Sequence, residues 1–102
     1  MIDILILEPN KQPYTKSIEN DLKACQEIVE GYIEVIRLKD GACLVLNEDG
    51  KIMGLPFCRD LNVVGYNDFV VGNAFICNSD MEGNFTSLEE SQIKLYTNLF
   101  EV

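Results

Sequence analysis

Arg59 is the residue best equipped for recognition chemistry in a chain that contains no histidine. It lies in an irregular stretch with Tyr66 and several asparagines. A guanidinium among amides and an aromatic ring can clamp a phosphate or a carboxylate through paired N–H groups. Asn47 and Asn73 would supply further amides. The commoner fate of such an arginine is an ion pair with a neighbour such as Asp60. Glu34 is the second candidate, a carboxylate in the middle of an apolar strand. Glutamate is almost never buried unpaired, so an edge or solvent-facing position is the ordinary reading. The functional reading is a carboxylate held for a cationic ligand or an interior arginine.

Other chemistry finds less support. A Ser or Cys triad lacks its usual base, and no Gly-rich phosphate loop of either common spacing occurs. Asn78, Asp80, Glu82, Gly83 and Glu89 fall at positions one, three, five, six and twelve of a calcium-loop spacing. Asn78 and Glu82 are the wrong types there, and the preceding segment reads as a strand where that motif needs a helix. Cys25, Cys43, Cys58 and Cys77 contain no C-x-x-C pair and read as buried small hydrophobes. We therefore assign no catalytic residue, no metal and no cofactor, and expect a protein that is not an enzyme.

These residues must be positioned by one domain of 102 residues, which is long enough for a single core. Its hydrophobic fraction is 47% and its charged fraction 25%, an ordinary globular composition. Seventeen acids against eight bases give a net charge of −9. That charge weighs against binding a nucleic-acid backbone or an anionic membrane. It suits solubility first, and a basic protein partner second. The opening MIDILILEPN has no basic segment and carries Asp3 and Glu8, so it reads as a strand and not a signal peptide. The expected compartment is the reducing cytoplasm, with free thiols.

Glu30 to Asn47 reads as a helix stop at Gly31 and two strands, Tyr32–Leu38 and Ala42–Asn47. An Asp40-Gly41 turn joins them, and this hairpin is expected at the centre of the sheet. Ile2–Glu8 is a strand buried on both faces or nearly so. Tyr14–Ile18 is a further strand, or else the run-in to a helix. Asp21–Glu30 is a helix capped by Asn20, with Leu22, Cys25, Ile28 and Val29 in one stripe. Lys51–Gly54 reads as a short strand or extended segment, and Pro56 to Asp68 as the longest irregular segment. Phe69–Asn78 is a strand interrupted by Gly72, which marks a bulge or a close approach. Thr86-Ser87-Leu88-Glu89 matches a capping box opening a helix over Ser87–Leu99, with Leu88, Ile93, Leu95, Tyr96, Leu99 and Phe100 buried. The expected fold is α+β, a mostly antiparallel sheet of about five strands with two helices packed on one face.

In this order the chain resembles a bacterial and phage family catalogued as a domain of unknown function, number thirty-eight forty-six. The residues that carry the resemblance are Glu8-Pro9, Leu22, Val29-Glu30-Gly31-Tyr32-Ile33-Glu34-Val35 and Asn47-Glu48-Asp49-Gly50-Lys51. Gly54-Leu55-Pro56, the Gly72 strand, Phe85-Thr86-Ser87-Leu88 and Gln92-Ile93 complete it. Cys58 departs from the family's pattern, which more often has asparagine before Arg59. The resemblance implies a product of phages or other mobile elements, working in the cytoplasm of a bacterial host. Small acidic proteins of that setting are often counter-defence or host-takeover factors, which is an analogy of setting. The leading expectation is a binding protein that occupies a host protein. The rivals are a sponge for an anionic signalling nucleotide, built at a homo-oligomer interface from Arg59, Tyr66, Asn47 and Asn73, and an accessory assembly domain.

Overall fold

The computed structural model describes residues 1–102. In chain order the elements are β1 (Ile2–Leu7), β2 (Tyr14–Ile18), α1 (Leu22–Val29), β3 (Ile33–Arg37), β4 (Ala42–Asn47) and α2 (Gly50–Met53). Then come β5 (Phe57–Asp60), a single 3-10 turn (Asn62–Val64), β6 (Phe69–Val71), β7 (Ala74–Ser79), β8 (Phe85–Thr86) and α3 (Glu90–Leu99). No helix is long and apolar enough to cross a membrane.

The fold is α+β. Six strands form an antiparallel sheet of order β2-β1-β7-β4-β3, with β8 also paired to β7. β5 and β6 form a separate two-stranded ribbon. The Asp40-Gly41 hairpin forms as expected: Gly41 adopts φ +88, and the Leu38 N–H closes onto the Ala42 carbonyl at 2.8 Å. Its place differs, because β7 is the central strand and β3 is an edge. The burial patterns give the reason: Ala74–Cys77 is buried on both faces, whereas no residue of Ile33–Arg37 is fully buried.

The two longer helices do not share a face. Ile2, Ile4 and Ile6 pack with Cys43, Val45, Phe75 and Cys77 under Cys25 and Val29 of α1. The alternate residues Leu5, Leu7, Ala42, Leu44, Ala74 and Ile76 meet Leu88, Tyr96 and Phe100 at α3, together with Cys58, Leu61 and Val70 of the ribbon. A sheet covered on both sides needs apolar residues at both parities of its strands, which is what Ile2–Leu7 carries. Each of these large side chains contributes about 2 kcal/mol by leaving water.

Several local readings are corrected. α1 is capped by Asp21, whose carboxylate accepts from the Ala24 N–H at 2.8 Å; Asn20 instead donates to the Phe85 carbonyl. The left-handed residue that ends α1 is Glu30, at φ +63, and not Gly31. Gly50–Met53 is a helical turn closed by left-handed Gly54, not an extended segment. Gly72, at φ +70, is where the chain leaves the ribbon for the main sheet, so the expected single strand is two. A Cβ there would stand 2.7 Å from Leu55 Cδ1, so a close approach does hold this glycine. α3 starts later than expected, because Ser87 Oγ is engaged by the Asp3 N–H at 2.8 Å. Its capping role passes to Glu89, whose N–H is met by Gln92 Oε1 at 2.9 Å. Leu22 stands exposed at the start of the α1 stripe, and Leu95 is exposed, not buried.

Candidate functional site

Arg59 is placed by a β-bulge. Phe57 pairs with Val71 and Arg59 with Val70, leaving Cys58 as the extra residue of the ribbon. A bulge turns successive side chains to one side. Cys58 and Arg59 are accordingly both buried while Phe57 stays exposed. The guanidinium is then spent on backbone. Nε donates to the Phe100 carbonyl at 2.6 Å, and Nη1 to the carbonyls of Glu8 at 3.1 Å and Cys58 at 2.8 Å. Nη2 donates to the Lys11 carbonyl. Neither the expected ligand clamp nor the expected ion pair with Asp60 is present. A planar fork that satisfies four carbonyls at once is the economical way to bury this charge. Burial raises the Cys58 thiol to about 11, a rise that the adjacent Arg59 only moderates.

Asn47 is likewise an internal brace. It is 4% exposed, and its amide donates to the Val29 carbonyl at 3.0 Å while its oxygen accepts from the Asp49 N–H at 2.8 Å. One side chain thus ties the end of α1 to the end of β4. Gly31 passes so close that a Cβ would lie 2.7 Å from Asn47 Nδ2. Tyr66 donates its hydroxyl to the Arg37 carbonyl on β3. Asn73 lines an open groove beside Tyr14, Glu27 and Glu30. Glu34 is exposed on the edge strand β3, its ordinary expected position. Of the five candidate residues, only Glu34 and Asn47 line one cleft, and the structure does not gather the rest.

Asp80 accepts from the N–H groups of Glu82 and Asn84, both at 2.9 Å, and so caps its own turn. Asn78 exchanges amide hydrogen bonds with Gln92. The calcium-spaced residues therefore serve local structure. All four cysteines are buried, and desolvation pushes the Cys25 and Cys77 thiols up.

A cluster of exposed apolar side chains lies elsewhere, around Phe69. Its ring centroid is 6.0 Å from that of Phe57, and Lys51 Nζ stands 4.5 Å from its centre. Phe57 and Phe69 line a cleft of about 400 Å³ with Asp60, Asn62, Asn67 and Asp68. Phe69 also lines a narrow crevice of about 90 Å³ with Glu34, Glu48, Lys51 and Ile52. Ile52 is 89% exposed and Phe57 58%. The result is an apolar strip of Ile52, Phe69 and Phe57 edged by four carboxylates. Its one cation, Lys51, is paired with Asp68, whose carboxyl that contact holds below the usual range. Sequence reasoning missed the strip because it read Lys51–Gly54 as extended. The signal available was Gly54, a natural left-handed helix stop.

No curated protein and no solved structure matches the chain. A family model does, over residues 2–101. The chain therefore belongs to the family described as domain of unknown function DUF3846.

Proposed function

We propose that this protein acts by occupying another protein, with Ile52, Phe57 and Phe69 as the contact. The observation that carries the reading is the combination of exposed aromatic side chains with a carboxylate edge. Aromatic anchors supply most of the energy of an interface, and a charged rim selects the partner and speeds encounter. Glu34, Glu48, Asp60 and Asp68 favour a partner with a basic surface, such as a nucleic-acid-binding enzyme. The net charge of −9 acts in the same direction over longer range. We place the protein in a phage or other mobile element, as a counter-defence or host-takeover factor in the host cytoplasm. That setting rests on the family resemblance.

The test is affinity purification from bacterial lysate with the wild type and with an Ile52→Ser, Phe57→Ser double variant. Both side chains are exposed, so the variant should keep its melting temperature. The expected result is a basic protein retained by the wild type, released by salt, and lost with the variant. Equal recovery by the two proteins, or recovery unaffected by salt, would contradict the proposal.

A further inference from the structure

The free edge of β3 carries unpaired backbone. Register pairs Tyr32, Glu34, Ile36 and Leu38 with β4 through their main-chain groups, as the Glu48 N–H to Tyr32 carbonyl bond at 2.9 Å and the Leu38 N–H to Ala42 carbonyl bond at 2.8 Å show. Main-chain groups alternate sides along an antiparallel strand. Those of Ile33, Val35 and Arg37 therefore point away from β4. The Arg37 carbonyl is taken by the Tyr66 hydroxyl, which closes that end. The N–H and C=O of Ile33 and Val35 have no partner in the protein.

The opposite edge of the sheet is defended differently. β2 follows Pro13, and register turns Thr15 and Ser17 outward on a strand that also carries Lys16. Proline, lysine and short polar residues are the usual means of blunting an edge. The open half of β3 has none of these. Its neighbours are the exposed Tyr32 and Val35 side chains and the carboxylates of Glu30, Glu34 and Glu48. Arg37, the nearest cation on the strand, sits at the closed end and reaches Ser79 Oγ at 3.4 Å.

We propose that the Ile33–Val35 edge is a strand-addition site for an extended, lysine- or arginine-bearing segment of a partner protein. Main-chain hydrogen bonds would supply affinity, and the three glutamates would select basic side chains. A second copy of this chain is the poorer occupant. Pairing β3 with itself about Val35 would bring each Arg37 main chain, with Tyr66 over it, against Ile33 of the other copy. It would also set the glutamates of two chains of charge −9 against each other. The site deepens the protein-binding reading and shares Glu34 and Glu48 with the edge of the Ile52–Phe57 strip, but the main-chain groups of Ile33 and Val35 are no part of that strip, so each can fail alone.

The probe is a synthetic peptide of alternating valine and lysine, titrated into ¹⁵N-labelled protein and followed by amide exchange. Controls are a peptide of the same composition interrupted by proline, and one with glutamate in place of lysine. Protection confined to the Ile33 and Val35 amides is expected with the first peptide and absent with both controls. Val35→Pro removes an outward N–H and leaves the bonds to β4 in place, so it should fold and bind the peptide about tenfold more weakly. The Ile52→Ser, Phe57→Ser variant should bind the peptide as the wild type does. Protection at β2 instead, equal binding of either control peptide, unchanged binding by Val35→Pro, or protection of β3 by self-association without peptide would each overturn the proposal.

Discussion

Arg59 Nε and the Phe100 carbonyl are 2.6 Å apart and separated by forty-one residues of chain. That bond fastens the end of α3 to the ribbon, and the other guanidinium nitrogens fasten the turn after β1 to the same point. Arg59→Met keeps much of the volume and orphans the carbonyls. It should cost about 3 kcal/mol in urea unfolding, against a near-neutral change for the exposed Arg37→Met. Equal costs for the two would deny Arg59 its bracing role.

Gly31 and Asn47 should behave as a coupled pair. Gly31→Ala drives a methyl into Asn47 Nδ2, and Asn47→Ala strands the Val29 carbonyl and the Asp49 N–H. Each single change should cost about 2 kcal/mol. In an Asn47→Ala background the Gly31→Ala clash is gone, so the double variant should cost clearly less than the sum. Additive costs in chemical denaturation would mean that Gly31 is needed for some other reason.

Tyr96 donates to Asp40 Oδ1 at 2.6 Å, and this pair makes stability depend on pH at both ends. Burial works to raise Asp40, but hydrogen bonds from Tyr96, the Ala42 N–H and Gln92 outweigh it and hold the carboxyl below its usual range. A depressed carboxyl stabilises the fold above its unfolded value of about 4, and that contribution is lost as pH falls through the folded value. Burial first, and then the bond to Asp40, push the Tyr96 hydroxyl up. A raised phenol stabilises fully below about pH 10 and loses its contribution as pH climbs further. Tyr96→Phe should therefore flatten both limbs of a plot of melting temperature against pH. Unchanged limbs would show that other groups control them.

The four thiols should be silent in the folded protein. Cys25, Cys43, Cys58 and Cys77 are each at most 2% exposed, and Cys58 is raised to about 11. A disulfide reagent at pH 8 should label none of them until urea unfolds the chain, then all four. Fast labelling of any one without denaturant would place a reactive thiol where the packing gives none.

Local signals carried well along this chain where the deciding contacts are local. The bounds of β4, Ala42–Asn47, follow from a turn three residues long, and the Cys25, Ile28 and Val29 part of the α1 stripe follows from helical spacing, whereas Leu22 at its start is exposed. What escaped depends on partners distant in sequence. α3 starts late because Ser87 is engaged by Asp3, and Arg59 is buried because of a bulge against Val70 and carbonyls from both ends of the chain. β3 looked central because its hairpin is so plainly marked, yet hairpin marking says nothing about what pairs on the far side. The candidate residues chosen for their chemistry were mostly the ones the fold consumes. Ile52, Phe57 and Phe69 carry no chemical signature, and only their exposure makes them candidates.

The most direct test of a binding role is a photo-crosslinking residue placed at Phe57 in living bacteria, with Lys23 on the outer face of α1 as the control position. The proposed role predicts one dominant adduct from position 57, with a protein of basic surface, and none from position 23. Adducts of equal yield from both positions, or none from position 57, would contradict it.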